Sequence, residues 1–112
     1  MTIQNHAGED VIVGNGICMD INPYQFKSEF EKMEFANYHN DNNVEVILFS
    51  SNWVDSSLDD VEDPAAVSDT LNYWAMRLIP FLKPKEKKGA RYFACSNRIG
   101  EEKGSKYMGT SC

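Results

Sequence analysis

Residues 44–51, VEVILFSS, carry four consecutive apolar side chains from Val46 to Phe49. A β-strand sends successive side chains to opposite faces, so a run without alternation asks for cover on both sides. That demand argues against a strand lying on one solvated layer and for a sheet covered by helices. Flanking segments meet it. VIVGNGICM (11–19) reads as a short buried strand in which Gly14 and Gly16 mark a bulge or a close backbone approach. Asn22-Pro23 then reads as a helix start, with Asn22 at N-cap, Pro23 at N1 and Gln25 at N3. Phe26, Phe30 and Met33 form one apolar stripe, and NDNN (40–43) closes that helix. Beyond the central strand, Ser68 is the expected cap of a second helix with the stripe Leu71, Trp74, Ala75 and Leu78, ended or kinked by Pro80. RYFACSN (91–97) reads as a third strand. After the IGEEKG turn, SKYMGTSC (105–112) reads as a fourth. The order strand-helix-strand-helix-strand-strand is that of an α/β layer.

At 112 residues the chain is at most one domain, and its 42% apolar content is enough to build a core. A net charge of −6 argues against a general binder of nucleic acid or anionic membrane, which needs a basic face. KPKEKKGAR (83–91) is basic but short and without interleaved aromatics, and reads as a solvated linker. No apolar run approaches the ~18 residues of a membrane span. The carboxylates Asp55, Asp59, Asp60, Glu62 and Asp63 crowd one loop, yet lack the glycine and terminal glutamate of a calcium loop. Three widely spaced cysteines, Cys18, Cys95 and Cys112, fit reduced thiols in the cytoplasm better than a disulfide framework. His6 and His39 stand alone and there is no CxxC pair, so both histidines are expected to be solvated, and neither metal nor cofactor is expected. MTIQNHAGED reads as a polar tail, unlike a secretory signal or an arginine-rich transit peptide.

Cys18 is the candidate reactive group. It lies four residues before the expected N-cap Asn22, so the positive end of that helix could lower its pKa. Main-chain N–H groups of the intervening turn, beginning with Met19, could form an oxyanion hole. The alternative is a small, buried, inert side chain, since free cysteine is among the most buried residue types. Asn22 as a helix cap and Asp20 as a turn former are equally open.

Four segments in order bear on that choice. GICMDINPYQF (16–26) resembles the cysteine segment of the nitrilase superfamily of carbon–nitrogen hydrolases, where an aspartate follows two positions after the nucleophile. VEVILFSSNWV (44–54) resembles the next strand and its substrate-side loop. WAMRLIPFL (74–82) resembles the following helix, where an arginine is usual. ACSNRIGEEKGSKYMGTS (94–111) resembles the strand, turn and hairpin written NRxG and G-x-S. Within the superfamily, GICMDINPY and LNYWAMRL with IPFL are most similar to the fungal-type amidohydrolases of protein N-terminal asparagine and glutamine.

The resemblance implies part of a four-layer α-β-β-α sandwich over residues 11–112 and a Glu-Lys-Cys catalytic set. Cysteine attacks the amide carbon, glutamate is general base and acid, and lysine steadies the oxyanion. It makes Cys18 the nucleophile and the Met19 N–H an oxyanion donor. Asp20, Asn22, Asn52 and Trp53 would line the substrate. Position 22 is often arginine in the superfamily, and asparagine there suits a neutral or differently charged substrate. The glutamate and lysine lie upstream of the cysteine in the family, whereas 17 residues precede Cys18. The expectation is therefore a partial domain, inactive by itself, whose complete form acts on N-terminal Asn/Gln peptides and feeds N-end-dependent degradation, with a second copy as a candidate partner in a homodimer. The alternative is an inactive remnant or interaction module that retains part of the fold.

Overall fold

In a computed structural model, describing residues 1–54, 64–86 and 89–112, the chain builds a four-stranded sheet with helices on one face. The strands are β1 (Thr2–Gln4), β2 (Asp10–Ile17), β3 (Val46–Ser51) and β4 (Tyr92–Asn97), in that spatial order. β1 is antiparallel to β2, while β2, β3 and β4 are parallel. The stretch read as a polar tail thus contributes a strand: Ile3 pairs with Val11, and the N-terminal ammonium donates to the Val13 carbonyl at 3.0 Å. A separate hairpin, β5 (Ile99–Glu102) and β6 (Ser105–Met108), follows the sheet. Past it the chain returns, and Cys112 exchanges both main-chain hydrogen bonds with Cys95 on β4.

Parallel neighbours need crossovers, and these are helical. α1 (Glu34–Asp41) joins β2 to β3. α2 (Pro64–Arg77) and the short α3 (Ile79–Leu82) join β3 to β4, with Pro80 in the first turn of α3 accounting for the break between them. NDNN ends α1 as read, with Asn43 in the left-handed region. Ile47 and Phe49 point at the helices and join Ile21, Ala36, Trp74, Leu78 and Phe81 in one buried cluster. The two glycines of β2 mark a close approach. A Cβ at Gly14 would lie 2.4 Å from the His39 ring, and one at Gly16 would lie 2.4 Å from Phe35 and 2.8 Å from Phe49. Only glycine lets α1 sit this near the strand.

Three expectations change. First, β3 is covered on one face; on the other Leu48 is 47% exposed, alongside Ile17 and Tyr92. Second, no helix begins at Asn22. Asn22 (φ −82°, ψ 163°) and Pro23 (φ −55°, ψ 137°) are extended, and Gln25 and Phe26 have positive φ. The chain winds through short 3-10 turns at Cys18–Ile21, Tyr24–Phe26 and Phe30–Lys32 before α1 starts at Glu34. A proline disfavours helical backbone at the residue before it, and here nothing downstream restores the helix. Third, Ser68 lies inside α2. That helix buries Thr70, Trp74 and Arg77, with Leu78 buried just past its end, while Leu71 and Ala75 face solvent.

Candidate active site

Register decides what meets Cys18. Ile17 lies opposite Ser50, and Ser51 opposite Asn97. One residue further along β2, Cys18 therefore stands level with Ser51 and Asn97, at the carboxyl edge of the parallel strands. Ligands of open α/β sheets bind outside that edge. Cys18 is half-buried with φ +37°, a region non-glycine residues rarely adopt and where strain often marks function. Two contacts secure the turn. The Asp20 carboxylate accepts from the Ile17 N–H at 2.8 Å, and the Met19 carbonyl accepts from the Asn22 N–H at 3.0 Å. The Ser51 hydroxyl donates to Cys18 Sγ at 3.5 Å. With α1 starting only at Glu34, the helix dipole expected beside Cys18 is not there.

Two hollows flank the sulfur. One, of about 460 Å³, is walled by Met19, Asn22, Phe26, Trp53 and Tyr73. Asn22 is buried and accepts from the Tyr73 hydroxyl at 2.7 Å; it closes the 3-10 turn Cys18–Ile21 rather than opening a helix. Trp53 packs against Tyr73 (ring centroids 5.8 Å apart) and edge-on to Trp74 (5.7 Å). The other hollow, about 290 Å³, is polar and lined by Ser51, Asn52, Asn97 and Arg98. Asn52 borders both. Asp20 borders neither: its carboxylate is committed to the Ile17 amide, and it lines a separate hollow against α1. Of the candidate residues, the structure gathers Cys18, Met19, Asn22, Asn52 and Trp53, and sets Asp20 aside as a turn former.

Several supporting residues escape a sequence reading. Asn97 is buried and ties three segments together: Oδ1 accepts from the Trp53 N–H at 2.9 Å, Nδ2 donates to the Gly109 carbonyl, and its own N–H donates to the Ser111 hydroxyl at 3.0 Å. Arg77 is buried and holds the coil after Cys18, donating to the carbonyls of Ile21 (2.8 Å) and Phe30 (2.5 Å) with its guanidinium 4.6 Å over the Phe30 ring. Its other partner, Glu34 at 3.8 Å, has a carboxyl held below the usual range, chiefly by the Ser28 hydroxyl. The signal for Asn97 and Arg77 was present only as family-like letters. Nothing local foretold Ser51 or Tyr73.

Burial pushes the Cys95 thiol up to about 11, with Cys112 and Cys18 adding to it, and burial also raises Cys112. Both stay protonated near neutral pH and are poor nucleophiles. His39 is 3% exposed, contrary to its reading as a solvated side chain. Among the described residues, no three His, Cys, Asp or Glu side chains are grouped to hold a metal ion. The acidic loop's carboxylates at 55–63 lie outside the described residues. The arrangement sets one half-buried sulfur, Cys18, at a sheet edge between an aromatic and a polar hollow.

No protein-family model matches the chain. It is 34% identical to the protein N-terminal amidase of Schizosaccharomyces pombe across 89% of its own length. The chain is homologous to part of the N-terminal amidases. It spans 38% of the length of that fission-yeast amidase. The Saccharomyces cerevisiae protein N-terminal amidase is 48% identical over 42 residues, 38% of this chain and 9% of that protein. A crystal structure of an N-terminal amidase with an Asn-Glu-Ala peptide superposes with a TM-score of 0.67 at 16% identity, over 99% of this chain and 56% of that one. The fold is thus that of the N-terminal amidases, and the sheet with its one helical face is a portion of their sandwich.

Proposed function

We propose that the chain carries the nucleophile-bearing portion of an amidase that converts N-terminal asparagine or glutamine of peptides and proteins to aspartate or glutamate. The observation that carries this reading is Cys18: a half-buried cysteine at positive φ on the carboxyl edge of a parallel sheet, in a chain homologous to part of the N-terminal amidases. The Asn-Glu-Ala peptide of the structurally similar amidase supports asparagine as a substrate; glutamine rests on the resemblance.

The Cys18 thiolate adds to the side-chain amide carbon of the substrate. The C–N bond breaks as the nitrogen takes a proton, and ammonia leaves a thioester. Water then adds to the thioester carbon, the C–S bond breaks, and a carboxylate and free thiol result. The Met19 N–H is the proposed donor to the oxyanion, and Asn22, Asn52 and Trp53 the proposed substrate contacts. Asp20 acts through the turn it closes. The resemblance assigns the general base to a glutamate and the second oxyanion contact to a lysine of the family's segments upstream of the cysteine. The proposed setting is the cytoplasm, with the product feeding N-end-dependent degradation and a second copy as a possible partner.

The test is ammonia release from Asn-Glu-Ala by the full-length protein, with Asp-Glu-Ala as the blank. Cys18→Ala is expected to lower kcat by ~10³-fold or more, as nucleophile removal does elsewhere. Undiminished turnover in Cys18→Ala rejects the reading. No release by the parent protein leaves an inactive remnant in its place.

A further inference from the structure

We propose that Tyr73 is a positioning residue: it fixes the Asn22 side-chain amide as a hydrogen-bond donor to the main-chain carbonyl of the substrate's first residue, an inference that rests on the amidase reading. Asn22 Oδ1 accepts from the Tyr73 hydroxyl at 2.7 Å, and Asn22 Nδ2 lies 3.8 Å from the Met19 sulfur. A tyrosine hydroxyl can donate or accept, so that contact alone would leave the amide free to turn over. The thioether decides the orientation, because its sulfur accepts and cannot donate. Nδ2 therefore stays on the Met19 side and Oδ1 on the Tyr73 side.

Both partners are held. Tyr73 stands on α2, with its ring packed against Trp53 and Phe30 at centroid distances of 5.8 and 6.4 Å. Asn22 is 7% exposed, on extended backbone whose N–H donates to the Met19 carbonyl at 3.0 Å. A buried amide costs free energy unless its donors are used, and a thioether is a weak acceptor. Asn22 and Met19 both line the aromatic hollow beside Cys18, which puts this under-used donor on the wall of that hollow.

Substrate chemistry names the acceptor. An N-terminal asparagine brings an α-ammonium, the reacting side-chain amide and its main-chain carbonyl to the sulfur. The ammonium only donates, so an N–H group does not receive it. The side-chain oxygen becomes the oxyanion, which is assigned to the Met19 N–H and the family's lysine. The main-chain carbonyl oxygen remains. It does not react, so a bond to it is equally strong in the ground and transition states, and its loss raises KM while sparing kcat.

Ammonia release by the full-length protein tests this. Tyr73→Phe keeps the ring and removes the hydroxyl. It is expected to raise KM for Asn-Glu-Ala about fivefold, the worth of one neutral hydrogen bond, with kcat held within about twofold. 3-Aminobutanamide has the amine and the reacting amide without the main-chain carbonyl, and its kcat/KM is expected to be the same in the parent and in Tyr73→Phe. In an Asn22→Ala background, Tyr73→Phe is expected to add nothing, since the group it positions is gone. An additive rise in KM, an equal loss on both substrates, or a fall in kcat with KM unmoved overturns the proposal and leaves the amidase reading standing. No release by the parent, or undiminished turnover in Cys18→Ala, removes the amidase reading and this inference with it.

Discussion

His39 shows how little a lone residue reveals before its neighbours are known. It is isolated in sequence, yet α1 presses its ring against the bare backbone of Gly14, with Phe35 stacked edge-on at 4.5 Å. Burial lowers its pKa, opposed by the Asn15 carbonyl and by Asp20. A histidine buried neutral binds fewer protons folded than unfolded between its depressed pKa and the ordinary 6.5. Stability therefore rises with pH across that window, and is lost as the pH falls below 6.5. Urea midpoints at pH 7.5 and 5.5 are expected to show this loss, with the lower midpoint at acid pH. His39→Phe is expected to flatten the difference. Glu34 acts at lower pH with the same direction: its carboxyl is held below 4.5, so its contribution is complete above that value and fades as the pH falls through the depressed pKa.

At the scale of elements, strands were legible and helix boundaries were not. β2, β3 and β4 lie where apolar runs predicted them, because a run of Val, Ile, Leu and Phe has few other fates. α2 was found but rotated. Its expected stripe began at Leu71, whereas Thr70, Trp74 and Arg77 face the core. Arg77 makes the difference: its guanidinium satisfies two carbonyls of the coil after Cys18, and a buried charge so bonded outranks hydropathy in setting which side faces in. Paired substitutions separate the two orientations. Trp74→Ala is expected to cost about 3–5 kcal/mol in chemical denaturation, a core truncation. Leu71→Ala is expected to cost within ~0.5 kcal/mol, an exposed substitution. Equal losses would favour the orientation the hydropathy stripe suggests. The missing helix at Asn22 has a similar origin. Phe30 lies under the Arg77 guanidinium and Tyr73 bonds Asn22, and these two tertiary contacts hold in a coil of short turns a segment whose letters look helical.

Over the whole molecule, stability and site geometry meet at Phe49. It contacts Phe35, Trp74 and Phe93, one ring from each surrounding element, with centroids 5.4–6.4 Å away. Phe49→Ala is expected to cost about 3–5 kcal/mol, a large share of the stability of a domain this size. Its thermal unfolding should lose cooperativity, and Cys95 should become reactive to thiol reagents along with Cys18. A melt like that of the parent would mean the helices dock without this ring.

What the sequence by itself determined is the alternation of strands and helices, the glycines that let α1 approach β2, and Cys18 as the residue on which a function could turn. These follow from local rules: side-chain period, backbone permissiveness and the scarcity of reactive groups. Only the tertiary structure decided which residues serve Cys18. Ser51 reaches the sulfur through the register of β2 on β3, Asn97 ties the Trp53 loop to Gly109, and Tyr73 arrives from a helix 51 residues after Asn22. Such contacts join positions far apart in the chain, and no local pattern encodes a distance that folding alone closes.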